Sequence, residues 1–167
     1  MAKVYTFVGK EGRRMITVFD VADYFLSRVD FETGSLMTHL KLQKMCYYAQ
    51  AWHLVFDNDP MFKQTFQAWA HGPVCPDLWN KYKEYKWHSI PSPEEFDGKV
   101  FKDAEVETLE AVWDAYSQFD GRYLEDLTHE EAPWVIARGS CPPGEACDNV
   151  ITWETMKEFY TRLQENG

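Results

Sequence analysis

Leu36-Met37-Thr38-His39-Leu40-Lys41-Leu42-Gln43-Lys44-Met45-Cys46-Tyr47-Tyr48-Ala49-Gln50-Ala51-Trp52-His53-Leu54-Val55-Phe56, and after a short turn Thr65-Phe66-Gln67-Ala68-Trp69-Ala70-His71-Gly72-Pro73-Val74, is the stretch that decides the fold. Thr38 is placed to cap a helix. Read at helical spacing, Leu42, Met45, Ala49, Trp52 and Phe56 make one apolar face, and Leu40, Tyr47, Ala51, Leu54 and Val55 make another. The polar positions reduce to Lys41, Lys44 and a thin stripe of Gln43, Gln50, His53 and Asp57. A helix apolar on nearly every side belongs inside a domain rather than on its surface. Asp57-Asn58-Asp59-Pro60 ends it. Met61-Phe62 and Thr65 to Trp69 read as a short β-hairpin, and His71-Gly72-Pro73 as a turn.

Upstream, Thr17 with Asp20 three residues on forms a capping box that opens a helix carrying Phe19, Ala22, Phe25 and Leu26 to about Asp30. Residues 1–16 read as a loose arm or short strand. Downstream, Pro76 suits the first turn of a helix through Leu78, Trp79, Tyr82 and Tyr85, and a loop runs from His88 to Lys102. Asp103 is expected to cap a helix that turns Val106, Leu109, Trp113 and Tyr116 inward and ends at Gly121. Thr128 is expected to cap a short helix, with Glu131 at its third position. The last helix, from Thr152 to about Leu163, groups Trp153, Met156, Phe159 and Tyr160 on one side. With no repeat or linker, the expected architecture is mainly α: a compact single-domain helical fold around a buried central helix, with a small β-hairpin.

At 167 residues the chain can bury a core of its own. It is 45% hydrophobic and 16% aromatic, which excludes a disordered chain and leaves aromatics to spare for a groove or partner surface. The formal net charge of −10 argues against a nucleic-acid backbone as direct partner. It suits either a basic protein partner or plain solubility. The N-terminus lacks the apolar core of a signal peptide and no run is long enough to span a bilayer, so a cytoplasmic protein with no membrane partner is expected.

Candidate chemistry is thin. Cys141 and Cys147 bracket a Pro-Pro-Gly loop, too far apart for a usual zinc pair, and are expected to be free thiols. Cys46 reads as core. His71, Cys75 and His129-Glu130 are the residues from which a nucleophilic site could be assembled; the simpler reading has His71 bonding backbone in its turn and Cys75 packing at a helix start. Lys81, Lys83 and Lys86 interleave with Tyr82, Tyr85 and Trp87, a pattern that could stack on single strands. The simpler reading keeps Trp79, Tyr82 and Tyr85 as core and the lysines as a solvated face. No phosphate-binding glycine loop, His-Glu-x-x-His or Gly-x-Ser-x-Gly is present. Neither catalytic residues nor a cofactor or metal are assigned.

Three ordered blocks carry a family resemblance. Leu40 to Trp52 resembles the signature helix of the Panacea domain, the family of SocA-type antitoxins and phage-associated GepA-like proteins, with Met45-Cys46 in place of two aliphatics. Phe66 to Val74 resembles its Ala-Trp-x-x-Gly-Pro-Val block, and Leu127-Thr128-His129-Glu130-Glu131-Ala132-Pro133-Trp134 its Thr-His-x-Glu-x-Pro-Trp segment. The resemblance spans about residues 17–163. It implies an antitoxin of a toxin–antitoxin system that neutralises a cognate toxin by direct binding, or an adaptor that delivers the toxin to the ClpXP protease; a small hydrolase or modifying enzyme using His71, Cys75 or His129 is the remaining reading. It also marks Lys41, Gln43, Lys44, Tyr48, Gln50, Trp69, His71, Gly72, Pro73, Thr128, His129, Glu130 and Trp134 as motif positions, whether scaffold or partner-binding. The loops 88–102 and 140–150 are where partner-specific differences are expected.

Overall fold

Residues 14–167 are described by a computed structural model. The arm expected over 1–16 lies almost wholly outside them. Helix α1 (Val18–Arg28) starts where the sequence places it: Thr17 Oγ1 accepts from Phe19 N, and Asp20 Oδ2 accepts from Thr17 N at 2.8 Å. Arg14 pairs with the same carboxylate, and together these contacts hold the Asp20 pKa below the usual value against the opposing effect of its partial burial. The inner face of α1, led by Val18, Val21, Ala22, Phe25 and Leu26, is fully buried.

Helix α2 (His39–Asp57) is the axis of the domain. Thr38 caps it by accepting from Lys41 N, and Asn58 terminates it in the left-handed region at φ 58°. Packing on all sides follows from its lack of a polar face: α1, α3 (Pro76–Tyr82), α4 (Asp103–Tyr116), α5 (Gly121–His129) and α7 (Trp153–Asn166) all contact it. Its polar residues are inside too, with Gln43, Lys44, Gln50 and His53 buried alongside Leu42, Met45 and Tyr47, and only Lys41 and the terminal Asp57 less enclosed. Each apolar side chain so enclosed contributes roughly 1.5–3 kcal/mol, whereas each buried polar one must find a partner. Helix α6 (Ala132–Arg138) packs across the sheet and against α7.

The sheet differs from the expected hairpin. Strand β1 (Phe66–Trp69) pairs antiparallel with β2 (Gly72–Val74), Trp69 opposite Gly72, and on its other edge with β3 (Val150–Ile151), Gln67 opposite Val150. Met61-Phe62 is not a strand because its backbone is already satisfied by a side chain. Gln50 Oε1 accepts from Met61 N at 2.6 Å and Gln50 Nε2 donates to Phe62 O at 2.7 Å. The turn therefore falls on Ala70-His71, and Gly72-Pro73 belongs to the strand.

Three helix boundaries also move. The N-cap of α4 is Lys102, whose N–H donates to Glu105, while Asp103 is the first helical residue. Gly121 begins α5 rather than ending α4, under an Asp120 cap. A Cβ there would stand 3.0 Å from Lys41 N and 3.1 Å from a Leu40 side-chain atom, so glycine is what lets α5 approach α2. Thr128 lies inside α5 with its hydroxyl donating to Glu125 O, and the N-cap of α6 is Glu131.

Candidate functional site

The motif positions contribute to two polar clusters along α2, one at Lys44 and one a turn further on at Tyr48. The first surrounds the β1–β2 turn. Gly72, at φ 104°, lies directly on the Lys44 side chain: a Cβ there would be 2.6 Å from Lys44 Cε and 2.9 Å from Thr128 Oγ1. Lys44 is wholly buried and its Nζ donates to Pro73 O at 3.2 Å. Burial pushes its pKa down to about 7, against the opposing pull of the Glu125 carboxylate. Glu125 Oε2 meets His71 Nδ1 at 3.1 Å, so His71 bonds across to α5 and not to the backbone of its own turn as expected. His129 stacks on Trp134 with ring centroids 4.1 Å apart, and burial lowers its pKa despite Glu125 nearby. Trp134 Nε1 donates to Trp69 O, tying α6 to the end of β1. Among the described residues His129 Nε2 is buried without a hydrogen-bond partner.

Gln43 serves the same turn from the next helical position. Its Oε1 accepts from Cys75 N at 2.9 Å and its Nε2 donates to Cys75 O at 3.3 Å, closing the strand-to-helix junction before α3. Cys75 is buried and its thiol pKa is raised by that burial, which keeps it a thiol. Lys41 reaches away from this cluster, donating to Ser117 O at the end of α4, and Glu130 is exposed.

The second cluster centres on a residue that sequence reading assigned only to a local cap. Glu131 is buried, and its Oε1 accepts from Tyr48 at 2.8 Å and from Tyr160 at 2.7 Å. The Tyr47 hydroxyl lies 3.1 Å from that of Tyr160. Burial pushes the Glu131 pKa up to about 7, opposed by the two tyrosine hydroxyls. One carboxylate thus joins α2, α6 and α7.

The third feature is a surface. Phe66, Ala68 and Ile151 point into the core, so the alternate residues Gln67, Trp69 and Val150 form an outer sheet face on which Gln67 and Trp69 are partly exposed and Val150 is exposed. Trp69 Nε1 donates to Gln67 Oε1, and Trp79 packs on Trp69 at 5.6 Å with 36% of its surface exposed. Trp79 and Tyr85 are therefore surface aromatics, correcting their expected place in the core; Tyr82 alone of the three is buried. The far wall is the loop after α6. Cys141 and Cys147 are joined there by a disulfide, not free as expected, because the Pro-Pro-Gly turn folds the loop back to a Cα separation of 6.0 Å. Arg138 is buried beneath this loop and donates to Ala68 O, Glu145 O and Pro142 O. Sheet and loop enclose an open groove of about 540 Å³, lined on one side by Gln67, Trp69 and His71 and on the other by Ala146, Cys147 and Asp148.

The first cluster is bonded inward to a turn and the second is internal. Of the motif residues only Trp69 and His71 line the groove. Among the described residues no group of three or more His, Cys, Asp or Glu side chains could hold a metal ion, and no helix is long and apolar enough to cross a membrane.

The model of a family described as "Antitoxin SocA-like, Panacea domain" matches residues 42–135, from α2 to the first turn of α6. No curated protein and no solved structure matches the chain.

Proposed function

The chain belongs to the SocA-like Panacea-domain family, and from that premise we propose that it neutralises a cognate protein toxin by binding it directly. The observation that carries this reading is the partly exposed Trp69–Trp79 pair, at the junction of the outer sheet face and α3, set on a domain whose family is antitoxin-like. Aromatic side chains held half-exposed on rigid elements, here a strand and a helix, are the usual anchors of protein interfaces. The net charge of −10 favours a basic toxin by steering the encounter and setting orientation. The polar clusters are bonded to scaffold, so occlusion of the toxin, rather than its chemical modification, is the mode this geometry supports.

Co-expression with the product of the adjacent toxin gene tests the reading. Growth arrest by the toxin alone and growth with both proteins is the expected outcome. Arrest that persists when both are produced at equal levels contradicts it.

A further inference from the structure

The groove beside Trp69 has two walls of different origin. Gln67 to His71 lie within the family-matched span, whereas Cys141 to Asp148 lie beyond its end at residue 135. The second wall is firmly placed despite being a loop: the Cys141–Cys147 bond closes it, and buried Arg138 binds two of its carbonyls together with the carbonyl of Ala68 on β1. A loop fixed to the sheet from below presents a preformed surface, which lowers the ordering cost of binding.

The charge that lines the groove is acidic, whereas Arg138 beneath the loop is bonded to carbonyls and Lys83 lies over the outer Trp79 ring. Asp148 lines it, Glu125 stands behind His71 at its end, and no Lys or Arg is among its described lining residues. Its floor is apolar or aromatic, from Trp69, Ala70 and Ala146 to the disulfide. The complementary occupant is an apolar side chain next to a cationic one.

We infer that this groove is where the toxin docks, through a segment that inserts an apolar side chain between Trp69 and the Cys141–Cys147 loop and sets a lysine or arginine against Asp148. The inference rests on the toxin-binding reading above and adds to it a location and a recognition chemistry. The loop beyond the matched span then selects which toxin segment fits.

The test titrates the full chain, with its disulfide intact, against the purified product of the adjacent toxin gene by calorimetry at two salt concentrations. Ala146→Trp fills the groove from an exposed position, and Asp148→Lys reverses its rim. Glu154→Lys on α7 makes the same change in net charge at an exposed site outside the groove. Expected are losses of at least about tenfold in affinity for the two groove variants, with a weaker salt dependence for Asp148→Lys, and a change under about threefold for Glu154→Lys. Toxin binding by the unmodified chain together with unchanged binding by both groove variants overturns the location while leaving the antitoxin reading in place. Equal losses from Asp148→Lys and Glu154→Lys overturn the recognition chemistry, since net charge alone then accounts for them. If the groove variants alter self-association and not toxin affinity, the groove is an interface between copies and the inference fails. Absence of toxin binding by the unmodified chain contradicts the antitoxin reading and the groove assignment with it. Retained thermal unfolding of each variant shows that a loss is not misfolding.

Discussion

Single residues explain the form the chain takes from the Ala70-His71 turn into β2. Gly72 holds a positive φ and sits on Lys44 and Thr128 with no room for a methyl group. Gly72→Ala is expected to cost about 2–4 kcal/mol in urea unfolding, from backbone strain plus displacement of a buried lysine; a cost below about 0.5 kcal/mol would show that the turn relaxes freely. The two buried charges give opposite pH slopes. Glu131 has a folded pKa raised from 4.5 to about 7, so its contribution is full below about 4.5 and is lost as pH rises through 7. Lys44 has a folded pKa lowered from 10.5 to about 7, so its contribution is full above about 10.5 and is lost as pH falls through 7. Relative to wild type, Glu131→Gln is expected to gain stability between pH 5 and 8 by up to about 3 kcal/mol, less the altered bonds to Tyr48 and Tyr160. Lys44→Met gains between pH 10 and 7. Differences that stay constant with pH in both variants would contradict the assigned burial. Gln43, Lys44 and Gln50 were legible as the polar minority of an internal helix. Glu131 was misread, because spacing offered Thr128 as a nearby cap while its partners Tyr48 and Tyr160 lie 83 and 29 residues away.

Among the elements, those with strong local signals were read correctly and those set by distant contacts were not. The capping box at Thr17, the Thr38 cap of α2 and the Pro76 start of α3 are written in neighbouring residues. Strand β3 has two residues and exists because Asn149, Val150 and Ile151 meet β1 from a position 80 residues on; no periodicity can announce so short an element. Gly121 was taken as a stop because glycine usually ends helices, whereas here it permits the close approach of α5 to α2. The loop after α6 is fixed by Arg138, a residue whose partners are backbone carbonyls and hence invisible in a pattern of side chains. Arg138→Met is expected to raise amide hydrogen exchange at least about tenfold across residues 141–146 while leaving α2 protected. Unchanged exchange in the loop would mean that the disulfide alone orders it.

For the whole molecule, burial leaves little of α2 on the surface, and Gln43, Lys44 and Tyr48 of the motif bond inward, to β2 and its end and to one buried carboxylate. The recognition surface proposed above lies instead on the outer sheet face, where Trp69 and His71 are the motif residues that line the groove. An acidic domain carrying this apolar groove is suited to holding a basic protein by steering and anchoring in sequence. Stoichiometric inhibition in a purified system tests this most directly, because it excludes any protease or other cellular factor. On the proposed reading a cognate toxin, assayed on its own substrate, is expected to lose its activity as the chain approaches one equivalent. Toxin activity that persists unchanged at several equivalents, with both proteins folded, would contradict direct neutralisation.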